Sequence, residues 1–202
     1  MRFVKGTIPE NAAFQPEANG WKYIKDIGLR WQVWISYPLA APAAILLCWI
    51  SGFHLSELTP TKFLFIWLGF WSLIPLHEYI HILFMPRPRS KDAVIIGYEE
   101  EEGVICAFYD GEQKKEELII SLAAPLFFIS IMPAILLMML GIHIPVLNGI
   151  LILHAVGSGM DIYSILTILF QVPNGALVRS KGERSYWRTV QQASRLTAVS
   201  DI

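Results

Sequence analysis

The chain has 202 residues, of which 54% are hydrophobic and only 16% charged, with a mean hydropathy of +0.46. Soluble domains carry roughly 25% charged residues, so this composition excludes an ordinary water-soluble globule. The net charge of -1, with no basic tract, gives nothing for a nucleic acid to bind.

The apolar residues gather in four runs, each near or above the roughly 20 residues that a helix needs to cross a bilayer. The expected fold is an all-α membrane protein with about four transmembrane helices, at residues 31–50, 63–84, 118–140 and 144–170, in one integral-membrane domain covering 1–202. The polar lead before the first span is too long and too acidic for the n-region of a signal peptide, so it is expected to stay attached. Cys48, near the end of the first span, and Cys106, between the second and third, lack the paired spacing of a zinc site. Both read as small apolar side chains that do not meet.

The second span carries His77-Glu78-Tyr79-Ile80-His81, an HExxH motif. Residues four apart lie one turn apart on the same helix face, so His77 and His81 can grip one metal ion while Glu78 reaches its bound water. Ionisable side chains at membrane depth are costly and tend to be kept where they act on something. The motif and its location therefore support each other.

Between the second and third spans, Ala93 to Tyr98 and Val104 to Tyr109 are β-prone runs separated by Glu99-Glu100-Glu101-Glu102-Gly103. They read as a short cytoplasmic hairpin with a charged tip. It is either a soluble spacer or an edge strand on which an extended peptide could pair. The third span holds Pro125 and Pro133, which interrupt the helical hydrogen-bond ladder and allow kinks.

A catalytic zinc usually takes three protein ligands, and the fourth span offers two candidates for the third. His77 lies seven residues inside Phe84 and Asp161 nine inside Phe170, so both are roughly 10 to 14 Å deep at 1.5 Å per residue. Asp161 is therefore favoured as the ligand. His154, two turns before it, is the rival and otherwise a pocket residue that could hydrogen-bond a ligand or an oxyanion; Tyr79 and Tyr163 are further oxyanion candidates. Gly157 and Gly159 would let two backbones approach beside Asp161, or are plain packing glycines. His54 and His143 fall at the loops on the other side and are expected to do no chemistry. The tail after Pro173 reads as a partly ordered basic segment at the membrane surface.

Fifteen of the 16 Lys and Arg lie before the first span, between the second and third, or after the fourth; Lys62 is the exception. The positive-inside rule then places both termini and the central loop in the cytoplasm of a multi-pass cell-membrane protein. Trp21, Trp31, Trp34 and Trp187 would anchor the inner interface.

HEYIH in the second span, Ala124-Pro125 in the third, and His154, Gly159 and Asp161 in the fourth together resemble a family of small bacterial multi-pass membrane proteins named for zincin peptidases. The plan is also similar to the site-2 protease type of intramembrane zinc metalloprotease, in which an HExxH helix and an aspartate from a later helix bind zinc near the cytoplasmic face. The resemblance implies Zn2+ held by His77, His81 and Asp161, with Glu78 as general base. The expected function is a zinc endopeptidase acting on membrane or juxtamembrane segments of a protein or peptide. The competing expectations are a haem- or metal-binding membrane protein without enzymatic activity, with His77 and His154 as axial ligands, and a zinc-binding pseudoprotease.

Overall fold

The computed structural model describes residues 2–5, 11–86, 93–99, 104–182 and 184–190. The hairpin tip from Glu100 to Gly103, the cations Arg87, Arg89, Lys91 and Arg195, and the side chain of Cys106 lie outside the described residues. Two compact units emerge, one of residues 1–26, 81–121 and 166–202 and one of residues 27–80 and 122–165.

The second unit is helical, and several of the helices described next belong in part to the first. Helix α1 (Leu29–Ser51) ends at Gly52, which adopts a left-handed conformation (φ 63°) that favours glycine, and a 3-10 turn at Leu55–Glu57 leads to α2 (Pro60–Phe84). The third apolar stretch is not one α-helix. Helix α3 (Lys115–Pro125) passes into a π-helical turn (Leu126–Ile131) and then α4 (Met132–Met139), with Met132 N–H donating five residues back to Phe127. The expected disturbance from Pro125 and Pro133 thus takes a definite form: the missing N–H groups disrupt the four-residue ladder at both ends of the stretch, and the chain between them adopts the wider π spacing. The fourth stretch is also divided, into α5 (Pro145–Gly157) and α6 (Gly159–Gln171). At the break, Ser158 turns its hydroxyl back onto the carbonyl of His154 (3.1 Å), a bond that bends helices.

Four stretches are long and apolar enough to cross a membrane: Leu29–Ser51, Pro60–Phe84, Lys115–Met139 and Pro145–Gln171. They coincide with the expected spans. Leu47, Ala134, Leu151 and Ala155 form a buried cluster joining α1, α4 and α5. A Cβ on Gly159 would run into the carbonyl oxygen of Ser36, so this glycine admits α1 against the start of α6. The close backbone approach expected of the two glycines is met at Gly159, whereas the neighbour of Gly157 is the Phe70 side chain, as for a packing glycine.

The other unit contains the sheets that an all-α expectation underestimates. Strand β1 (Arg2–Lys5) pairs in parallel with β3 (Val94–Glu99), which pairs antiparallel with β4 (Val104–Tyr109). The two runs read as a hairpin do pair, with the first shifted by one residue and a third strand added from the N-terminus. A second sheet has the order β2 (Lys22–Tyr23), β7 (Arg184–Arg188), β6 (Leu177–Lys181), β5 (Gln113–Lys114). Among the described residues after Pro173, Leu177–Lys181 and Arg184–Arg188 are therefore strand. Two of that segment's cations are used internally: Arg179 pairs with Asp110 (3.2 Å) and stacks over Phe14, while Arg188 pairs with Glu112 (2.8 Å) and stacks over Trp21. Trp21, expected at an interface, is buried edge-on to Phe14 in this unit's core, because the N-terminal strand brings it under Tyr186. Trp31 and Trp34, each 65% exposed, remain free to face lipid.

Candidate metal centre

The motif sits in the last two turns of α2, after Pro75, whose missing N–H cannot donate to the carbonyl of Trp71. His77, Glu78 and His81 each offer a ligand atom, and these atoms all lie within 4.8 Å of one another. Glu78 and His81 are buried, and His77 is nearly so.

Each histidine is held by a different partner. Nδ1 of His81 donates to the carbonyl of Ser121 at 2.8 Å, and the Ser121 hydroxyl donates back to the carbonyl of His81 at 2.9 Å. The helical donor to the Ser121 carbonyl would be the N–H of residue 125, which is proline and has none. Pro125 thus leaves a buried carbonyl in need of a donor, and the His81 ring supplies it. With its proton fixed on Nδ1, His81 keeps a lone pair on Nε2, the tautomer a metal requires.

His77 meets two residues of the fourth stretch. Its Nε2 lies 3.2 Å from Oδ2 of Asp161, and its Nδ1 lies 3.0 Å from Nε2 of His154. Asp161 falls in the first turn of α6, where the helix dipole favours a carboxylate. The depth match inferred by counting residues thus corresponds to a direct contact between His77 and Asp161. His154 is buried, its ring centre 5.2 Å from that of His77.

Residues 70–177, 108 of the 202, match the model of the family described as "Putative zincin peptidase". The chain belongs to this family. No curated protein and no solved structure matches it. The zincin family implies zinc, and the matched segment contains the whole HExxH helix from Phe70 onward, Ser121, His154 and Asp161.

The donor set fits that metal. Two imidazoles and the Glu78 carboxylate within reach of one ion, one imidazole with its lone-pair nitrogen set by a backbone carbonyl, are nitrogen and oxygen donors of the kind zinc takes; Asp161 touches His77 but stands outside that group of three. Glu78 lies three residues before His81 on the same turn, close enough to act on a water at the ion.

The two tyrosines stand apart. Tyr79 is 54% exposed and sits two residues from His77, about 200° around the helix at about 100° per residue. The hydroxyl of Tyr163 meets the backbone N–H of Ile27 at 3.4 Å. His54 and His143 lie elsewhere: His143 bridges Glu57 and the carbonyl of Ser51, tying the turn after α1 to the turn after α4. Sequence reasoning missed Ser121 and Ser130. The signal was present, because they are the only polar side chains between Leu118 and Leu140.

Proposed function

We propose that this chain is a zinc-dependent endopeptidase embedded in the cell membrane, with His77, His81 and Asp161 holding the metal and Glu78 acting as general base. The observation that carries the reading is the HExxH helix with His81 locked by the Ser121 carbonyl and His77 in contact with Asp161. Zinc, when bound there, supplies a water acidic enough to ionise near neutral pH and a Lewis acid for a carbonyl oxygen.

The chain's own residues supply the rest. Glu78, buried and 9% exposed, takes the proton of the attacking water and later delivers it to the leaving amine nitrogen, so one carboxylate serves both halves of peptide hydrolysis. The burial of Glu78, His81 and Asp161 keeps bulk water from the reacting atoms. Substrates are membrane or juxtamembrane segments, unwound locally so that a peptide bond can enter. The four apolar stretches and the distribution of Lys and Arg support a multi-pass protein with both termini in the cytoplasm and the metal near that face. The competing haem reading would need His77 and His154 to part, since their nearest nitrogens lie 3.0 Å apart.

Metal analysis of the purified protein beside an Asp161→Ala variant tests the reading. About one zinc per wild-type chain and a marked loss in the variant are expected; metal-free wild type, or undiminished zinc in the variant, would reject the site as drawn. Reporter fusions at both ends should report inside, and one after Gly52 outside.

A further inference from the structure

Taking the zinc site above as its premise, we propose that Ser130, on the π-helical turn, is a positioning residue that fixes the tautomer of His154 and through it orients the ring of His77, and that His154 is consequently neither a metal ligand nor an oxyanion donor.

Ser130 is completely buried, and its hydroxyl carries a single proton. Its Oγ lies 2.9 Å from the carbonyl of Leu151 and 2.7 Å from Nδ1 of His154. A carbonyl can only accept. Both contacts are satisfied only when the hydroxyl donates to Leu151 and the Nδ1–H of His154 donates to Oγ. In neutral His154 the lone pair is then on Nε2, which faces Nδ1 of His77 at 3.0 Å, so His77 must be the donor there. His77 is thereby left with its remaining nitrogen, Nε2, aimed at Oδ2 of Asp161 at 3.2 Å. At that distance either a proton or a metal ion can lie between the nitrogen and the carboxylate oxygen. The chain of bonds that begins at a backbone carbonyl therefore ends at two atoms that a metal ion can take in place of a proton.

The reverse order of protons fails at its first step. If His154 carried its proton on Nε2, the Ser130 hydroxyl would have to donate to Nδ1 and abandon Leu151, removing a hydrogen bond in a fully buried setting. Both nitrogens of His154 are thus committed, one to Ser130 and one to His77. The π turn matters because its wider spacing changes which way residues after Pro125 project compared with an unbroken α-helix. The third stretch then orients both motif histidines by separate means: the Ser121 carbonyl for His81 and the Ser130 hydroxyl, through His154, for His77.

Two measurements on the full-length protein in detergent decide the matter. The first is a nitrogen-15 histidine side-chain spectrum of zinc-free wild type, which reads each tautomer directly. We expect His154 to be neutral with its proton on Nδ1; a proton on Nε2 would overturn the proposal whatever the metal result. The second is zinc affinity by chelator competition. Loss of an outer partner of a metal ligand typically costs about 10–100-fold, so Ser130→Ala should weaken zinc by about tenfold, while Ser130→Thr, which keeps the hydroxyl, should restore most of it. Wild-type affinity in Ser130→Ala would overturn the relay. Wild type that binds no zinc at all would instead count against the metal site, with the spectrum still deciding the order of protons.

Discussion

Two histidine–carboxylate pairs in this molecule have nearly the same geometry and different surroundings. His77 and Asp161 are 3.2 Å apart with side chains 15% and 12% exposed; His143 and Glu57 are 2.9 Å apart with side chains 43% and 23% exposed. Around the first pair stand a second imidazole, a buried serine and an HExxH helix whose other histidine is pinned by a carbonyl. Around the second are the Ser51 carbonyl and the Asn148 amide, in two turns joining helices. Contact distance alone does not make a functional site. What separates the pairs is burial, which makes an uncompensated charge expensive, and a set of outer partners that fixes where each proton sits.

The comparison breaks most visibly through the metal-binding histidines. Replacing His77 or His81 by Ala removes a proposed ligand and should reduce zinc affinity by more than the roughly 100-fold upper range seen for outer partners, whereas His143→Ala should leave it unchanged; chelator competition on the three variants checks this. Asp161→Asn keeps the shape and removes the charge, so zinc should bind well over tenfold more weakly, with Glu57→Gln as the matched neutral change at the exposed pair. Smaller still is Pro125→Ala. It restores an N–H that competes with His81 for the Ser121 carbonyl, and since a carbonyl has two lone pairs the loss of zinc affinity should fall at or below the low end of the roughly 10–100-fold range.

The smallest effect belongs to the exposed pair and depends on pH. The carboxylate of Glu57, and next the Ser51 carbonyl, raise the pKa of His143 above its ordinary 6.5, and His143 in turn is the main cause lowering Glu57 below its ordinary 4.5. The histidine's contribution is full below pH 6.5 and is lost as pH rises through its raised value. The carboxylate's is full above pH 4.5 and is lost as pH falls through its lowered value. Stabilisation therefore peaks between these limits. Thermal unfolding of wild type and Glu57→Gln should differ slightly near pH 5.5 and converge above pH 8; an equal gap at both would show that the bridge does not act through charge.

Much of this was legible in the chain. Long apolar runs need no tertiary context to declare themselves, because their length is set by bilayer thickness. HExxH is read from spacing on a single helix, and the contact of Asp161 with His77 agrees with the counting of depth. What the sequence hid depends on partners far along the chain. Leu177 to Arg188 reads as a basic tail until Arg179 and Arg188 find Asp110 and Glu112 and the segment is seen to be a strand pair. Trp21 was misplaced for the same reason, since its burial is supplied by Phe14 and Tyr186. Pro125 was visible as a helix breaker, but that the carbonyl it frees would hold His81 depends on α3 lying beside α2 at Ser121.

The central claim is that Glu78 moves protons while others hold the metal, although Glu78 is near enough to His77 and His81 to ligate an ion itself. Zinc content and peptide cleavage measured together on wild type and Glu78→Gln, reconstituted in vesicles with labelled membrane-spanning peptides, address it most directly. The account predicts about one zinc per chain in both proteins and a fall in cleavage of about 10²–10⁴-fold in the variant, the usual worth of a general acid–base. Undiminished cleavage by Glu78→Gln would contradict the hydrolytic role, and loss of its zinc would make Glu78 a ligand instead.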